Sequence, residues 1–492
     1  MIAVLRRMAN CGTPLAAVAL TSGVTLLTIL VGLVSNKLIA VLLGANGIAL
    51  MGLYRNLAAV ITRTSAMGID TVLIHRISTR GSDEKIAEVF SAVTLLGYIY
   101  AAILILLCIS VGAFVANGIF SSEIGESQIL PLRVVFVMAF VNLLLQLTSA
   151  VLTGGLQVKA VSAINAAGAV CSVVLLVPLL RLGDVGLAIN VGSGNVVACL
   201  LALRLVWGQT RAQFRSFSFH ERWIHLRQLL SRSTFLILQP FAMMAGLLVA
   251  QALIARKYGL DGLGAFTAAS IIVDTTALIV MASAKSFYLP SLGNLDSSAT
   301  KHALHGTMTS ISVTLATSSA VLLVLGKAYL VHSLFTAKFG LTPDLLAQLS
   351  LSLPSQALIW CANTYCIHRG RYRLVFALDS LWMASLLLST MLCCFRDAPL
   401  TAVAWGYTAA YTLSGLLYCV VLVYNFGASI MARETLFWTV LGLGVVASSY
   451  AVSKLRSPLF SLSFLLIYIG AVGGLFLHAR SRSRRVVVNE CP

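Results

Sequence analysis

Acidic side chains are scarce: 16 Asp and Glu stand against 34 Lys and Arg in 492 residues. Charged residues of both signs make up only 10% of the chain, where a soluble domain carries about 25%. That shortage excludes a set of ordinary soluble domains. The ten cysteines include no CxxC pair, so neither a zinc framework nor a disulfide scaffold is indicated, and they read as small apolar side chains. There is no HExxH, no GxSxG and no phosphate-binding loop. His302, His305 and His368 lack metal-ligand spacing. The loops on the outer side are too short to hold a catalytic domain. The sequence therefore predicts neither an enzyme nor a cofactor.

What the chain has instead is apolar length. Hydrophobic residues are 59% of it and its mean hydropathy is +0.94. The apolar runs are about 20 residues long, enough to cross roughly 30 Å of hydrocarbon as helix; a transmembrane barrel shows alternating runs of about ten. The predicted class is an all-α polytopic membrane protein with about fourteen spans. They are drawn at 15–43, 48–75, 87–115, 131–153, 160–180, 186–206, 233–256, 262–290, 306–330, 345–367, 374–394, 400–424, 435–452 and 459–478. Residues 14–43 exceed a signal-peptide core and read as a retained first span.

A net charge of +18 invites a nucleic-acid reading, but the basic residues sit in short loops between apolar runs. Fourteen spans place Arg6, Arg7, Arg204–Arg232, Arg369–Arg373 and the Arg480–Arg485 cluster on one side. The other side keeps fewer cations, among them Arg181, Arg256, Lys257 and Arg396. The richer side is expected to be cytoplasmic, with both termini there. No nucleic-acid partner is predicted. The basic, aromatic-interleaved segment 207–232 reads as an amphipathic linker on the anionic inner leaflet.

A repeat divides the chain. LIAVLLGANGI (38–48) recurs as LIARKYGLDGL (253–263), so Leu-Ile-Ala-x3-Gly-x2-Gly reappears 215 residues on. The same offset carries Gly155 onto Gly370. An even number of spans separates the copies, so both face the same way, a parallel repeat about the membrane normal. The predicted domains are a six-helix lobe over 1–206, the linker 207–232, a second six-helix lobe over 233–425, and two extra helices with a basic tail over 426–492. The Gly-x2-Gly corner suits a tight turn that needs positive φ.

The charges inside spans need explanation, since a central Lys or Arg costs at least about 2.5–3.5 kcal/mol. Lys37 and Arg55 lie about nine residues on either side of a turn centred near Ala45–Asn46, hence at one level, roughly 13 Å from it. Arg63 lies two turns deeper and about 80° round from Arg55. Two readings stand. Either these cations line a wet cavity, or Asp70 neutralises Arg63 while Lys37 snorkels outward. One acid against three cations leaves a positive surplus suited to an anion, and arginine's planar fork matches phosphate. Tyr54 and Asn36, with Tyr98 and Asn142, offer stacking and hydrogen bonds to a sugar. Asp274 lies near mid-membrane on span eight, with Lys285 about 16 Å further along. Asp274 reads as a proton or Na⁺ coupling site, as a salt bridge between the lobes that would serve as a gate, or as packing. Pro240 and Pro354 interrupt spans seven and ten, as hinges or static kinks. The GSG at 192–194 is expected to permit close helix packing.

The motif at 37–57, K-L-x-A-x3-G-x2-G followed by R-x-L, resembles that of Wzx-type polysaccharide flippases, within the multidrug/oligosaccharidyl-lipid/polysaccharide exporter superfamily. ASIIVDTTALIVMASAKSFYLPSL (269–292), LFTAKF (334–339) and IHRGRYRLVFALD (367–379) are similar to further stretches of that group, so the resemblance spans about 15–425. It implies two six-helix lobes around a central cavity and ion-coupled transport of undecaprenyl-diphosphate-linked oligosaccharide (O-antigen, common antigen or exopolysaccharide units) to the periplasmic leaflet of a bacterial inner membrane. It implies roles for Lys37, Arg55 and Asp274 by position, and for Arg63 and Lys285. The implied partners are the lipid-linked glycan, membrane lipid, and polysaccharide polymerase or chain-length proteins. A multidrug exporter, a lipid II flippase and, further off, a membrane polymerase are the alternatives.

Overall fold

The computed structural model describes residues 14–66, 122–154, 158–214, 219–294, 298–335 and 339–426, with isolated positions between 95 and 103 and between 444 and 451. The described regular structure is entirely helical. It comprises α1 (Pro14–Ala66), α2 (Ser122–Gly154), α3 (Val158–Leu180), α4 (Gly183–Phe214), α5 (Phe219–Asn294), α6 (Ser298–Leu325), α7 (Lys327–Leu334), α8 (Thr342–Ser350), α9 (Leu353–His368), α10 (Tyr372–Phe395) and α11 (Leu400–Phe426). Eight of these hold stretches long and apolar enough to cross a membrane, and α8 with α9 adds a ninth as a bent pair. The chain is a polytopic membrane protein. Its outward faces agree, because Val174, Leu200, Leu388 and Val420 stand exposed where a soluble bundle would place polar groups.

Two elements are too long for one crossing, and each breaks at a glycine of the repeat. Gly44 adopts φ 68°, ψ −154° within α1, and Gly259 adopts φ 73°, ψ 177° within α5. This conformation is essentially restricted to glycine. The next repeat glycine has its own reason in both copies. A Cβ on Gly47 would lie 2.3 Å from that of Leu43, and one on Gly262 would lie 2.7 Å from that of Tyr258. The hydrogen bond from Arg55 to Asn36 joins positions similarly distant from Gly44, so the arms of α1 run antiparallel side by side. With α1 counted as a hairpin, one more crossing joins those nine among the described residues. The expected spans at 87–115, 435–452 and 459–478 lie largely or wholly outside the described residues.

By contact density the chain divides into two compact units. The first comprises Met1–Ala268, His332–Gly340 and Gly370–Gly406; the second comprises Ala269–Val331, Leu341–Arg369 and Tyr407–Pro492. In the first, α1 packs on α2, α3 and α4, and α4 packs most closely on α2 and α3. Small residues set that closeness, as the GSG predicted. A Cβ on Gly194 would stand 2.1 Å from the Gly168 carbonyl oxygen, and one on Gly192 would meet Met138 at 2.7 Å. The two repeat corners also approach within this unit: a Cβ on Gly264 would fall 2.1 Å from the carbonyl oxygen of Ala45. In the second unit α6 packs against α8 and α9. Pro354 falls in the first turn of α9, where its missing N–H costs nothing, and α8 and α9 meet at 42°.

The linker is mostly helix, since α4 continues through Phe214 and α5 begins at Phe219. Residues 219–233 contain no glycine or proline and are rich in residues that tolerate or favour helix, so the spans extend beyond the apolar core.

Candidate polar pocket in the first unit

The α1 hairpin brings a cation to each arm, and the two meet different fates. Lys37 is exposed, and its ammonium donates to the carbonyl of Ser333 at 2.7 Å. Ser333 lies in the last turn of α7, where a helix leaves carbonyls without intrahelical donors and the dipole favours a cation. Arg55 turns inward. It is half-buried, and its Nη1 donates to Asn36 Oδ1 at 3.1 Å across the hairpin. Asn36 is itself buried, so the bond fixes the guanidinium and satisfies a polar group inside the bundle.

Arg55 lines a cavity of about 280 Å³ together with Ala58, Ala59, Thr62, Asn142, Gln146, Val191 and Asn195. Three helices supply these residues at one-face spacing: 55, 58, 59 and 62 on α1; 142 and 146 on α2; 191 and 195 on α4. At 1.5 Å per residue the α1 wall runs from roughly 16 to 27 Å beyond the Gly44 corner, a span that fits within the thickness of a hydrocarbon layer of about 30 Å. Two bonds hold the walls in register. Asn195 Nδ2 donates to Asn142 Oδ1 at 2.7 Å, and Thr62 Oγ1 donates to the Ala139 carbonyl at 3.2 Å. Among the eight lining residues only Arg55 carries a charge. Chemically the pocket offers one guanidinium, three carboxamides and a hydroxyl over a floor of alanine and valine, a set for an anionic, hydroxyl-rich ligand.

Tyr54, one residue from Arg55, points about 100° away from it. It is fully buried, and its hydroxyl donates to Gln128 Oε1. Gln128 Nε2 then donates to Asp184 Oδ2 at 2.7 Å. This relay links α1, α2 and the first turn of α4, away from the pocket lining. Arg63 belongs to α1 and Lys285 to α5, but their side chains lie outside the described residues, and Asp70 lies outside them altogether. Asp274, on α5 in the second unit, is exposed and within electrostatic reach of Tyr407. Tyr407 stacks at 4.9 Å on Tyr411.

Sequence reasoning had singled out Asn142 but missed Gln146, Asn195, Gln128 and Asp184. The i, i+4 pairing of Asn142 with Gln146 in an apolar span was the signal available for one of them. Asn195 shares its span with Asn190, and only the rotation of α4 brings Asn195 rather than Asn190 to Asn142.

No family profile and no curated protein sequence matches the chain. Solved structures do. A structure described as the lipid II flippase MurJ in an inward closed conformation matches with a TM-score of 0.67 at 14% identity, covering 96% of this chain and all of that one. A transporter of the MOP superfamily from Pyrococcus furiosus, described as having a binding pocket of reverse polarity, matches at 0.60 and 16% identity, over 85% and 97% of the two chains. An inward-facing multidrug resistance MATE family transporter matches at 0.62 and 15% identity, over 88% and 98%. At these identities the likeness is one of architecture. The chain shares along nearly its whole length the fold of polytopic MOP-superfamily transporters and flippases.

Proposed function

We propose that the chain is a flippase carrying undecaprenyl-diphosphate-linked oligosaccharide from the cytoplasmic to the periplasmic leaflet of a bacterial inner membrane, by ion-coupled alternating access. Arg55 carries this reading: a half-buried guanidinium, held by Asn36, on the wall of a polar cavity inside a membrane bundle. A cation at that depth costs at least about 2.5–3.5 kcal/mol. A phosphate oxygen is the ligand that best offsets this, through a paired, charge-assisted contact. A cationic drug would meet repulsion at the same wall, which disfavours multidrug export.

In this reading residues 1–206 and 233–425 are the two lobes that alternate. Lys37 and Arg63 extend the positive surface along the first hairpin, and the polyprenyl tail stays in lipid. Asp274 on the second copy of the hairpin is the coupling group, taking up and releasing a proton or Na⁺ as the cavity changes sides.

The test uses cells that need this transporter for surface polysaccharide. Arg55→Ala should abolish export while the protein stays in the membrane, and lipid-linked single units should accumulate inside. Normal surface polysaccharide from that variant would sink the assignment.

A further inference from the structure

Among the described lining residues the pocket is mismatched to a bare diphosphate. Arg55 carries the one charge there, and one Nη of that guanidinium already serves Asn36. The rest of the polar wall is neutral: Thr62 on α1, Asn142 and Gln146 on α2, and Asn195 on α4. At about 280 Å³ the cavity lies at the lower edge of the 300–1,000 Å³ usual for small-ligand pockets, so it has room for one ring-sized unit.

The Asn142–Asn195 pair has a defined polarity. Asn195 Nδ2 donates to Asn142 Oδ1, so the bond uses one donor of Asn195 and one lone pair of Asn142. Asn142 keeps its amide N–H groups and Asn195 keeps its carbonyl. Two neighbouring helices thus present a donor beside an acceptor, at a spacing fixed by a hydrogen bond. Neighbouring hydroxyls on a sugar ring, each both donor and acceptor, complement such a pair. Ala58, Ala59 and Val191 supply the apolar surface that the C–H face of a ring requires.

We propose that the Asn142–Asn195 pair, with Gln146, is a carbohydrate subsite that binds the sugar joined directly to the phosphate held by Arg55. This rests on the anion-site reading of Arg55 and names what lies beside the anion: a glycosyl phosphate, recognised through ring hydroxyls. The charged contact anchors the ligand, and the amide wall selects it.

The experiment uses the full-length protein in detergent, with glucose 1-phosphate and inorganic phosphate as probes, and binding read by calorimetry or by shift of thermal unfolding. The wild type should bind the sugar phosphate about tenfold more tightly than phosphate, the gain expected from one or two neutral hydrogen bonds. Asn142→Ala with Asn195→Ala should erase that preference and leave phosphate affinity unchanged, while Arg55→Ala should weaken both probes. Asn195→Ser, a gentler change, should lower the preference part-way and guards against a double variant that fails to fold. Equal wild-type affinity for the two probes, or a preference that survives in the double variant, overturns the carbohydrate subsite while leaving the anion site standing. Unchanged phosphate binding in Arg55→Ala overturns the anion site, and the subsite with it.

Discussion

Asn36 and Arg55 face each other across the α1 hairpin, joined at 3.1 Å from Asn36 Oδ1 to an Arg55 guanidinium nitrogen. The asparagine aims the charge. Removing it leaves Arg55 present but free to change rotamer. Asn36→Ala should therefore raise the substrate concentration needed for half-maximal flipping by roughly tenfold, as expected for a lost hydrogen bond to a charged group. The maximal rate should change much less. A fluorescent lipid-linked oligosaccharide assay in proteoliposomes measures both quantities. Arg55→Lys tests the same point from the other side, since an ammonium keeps the charge and loses the planar fork.

The glycine corners make a prediction about stability. Nothing lies within 4 Å of a Cβ built at Gly44 or Gly259, yet both have positive φ with extended ψ. The cost of substitution is then backbone strain, on the order of 1–3 kcal/mol per site. Gly44→Ala and Gly44→Ser should destabilise by the same amount, because side-chain size is irrelevant there. Gly47→Leu should cost more than Gly47→Ala, since the Leu43 side chain blocks that site. Thermal unfolding in detergent gives the comparison.

Tyr54, Gln128 and Asp184 form one relay, so their substitutions should not add. Tyr54→Phe and Gln128→Leu each leave a buried polar group without its partner, at a cost of about 1–3 kcal/mol. The double variant should cost clearly less than the sum, a coupling that a double-mutant cycle reads. Transport by Tyr54→Phe, corrected for folded protein, should stay near wild type if Tyr54 serves the bundle. A specific loss of substrate affinity would return Tyr54 to the substrate site.

Asp274→Asn removes the charge and keeps the shape. Flipping in that variant should lose its dependence on an imposed ion gradient, measured in proteoliposomes with and without proton and Na⁺ gradients. Dependence equal to wild type would transfer coupling to another group.

Features that depend on one helix or one turn were readable from the chain. Repeated glycines placed both corners, Arg55 on the second arm of the first hairpin marked a half-buried charge while Lys37 on the first is exposed, and GSG at 192–194 marked a close helix contact. Features that depend on how two helices are rotated were not. Lys37 finds a carbonyl 296 residues away, and no pattern near Lys37 points to Ser333. Asn142 and Asn195 are 53 residues apart on helices whose mutual rotation depends on glycine contacts beneath them. Tyr54 and Arg55 are neighbours in sequence and face different surroundings, a split that spacing permits without choosing its direction. Within the basic segment 207–232 the helices α4 and α5 run on through Phe214 and from Phe219, an extent that its polarity alone does not mark.

Gly168 and Gly194 bring α3 and α4 to backbone-contact distance, and Gly192 seats the Met138 side chain of α2 against α4. Helices that close cannot slide past one another without first separating, so the three behave as a single plate. Any rocking during a transport cycle must carry this plate whole, and with it Asn142, Gln146, Val191 and Asn195 in unchanged register. The amide side of the cavity would then keep its shape through the cycle, and access would change because something else moves across its mouth.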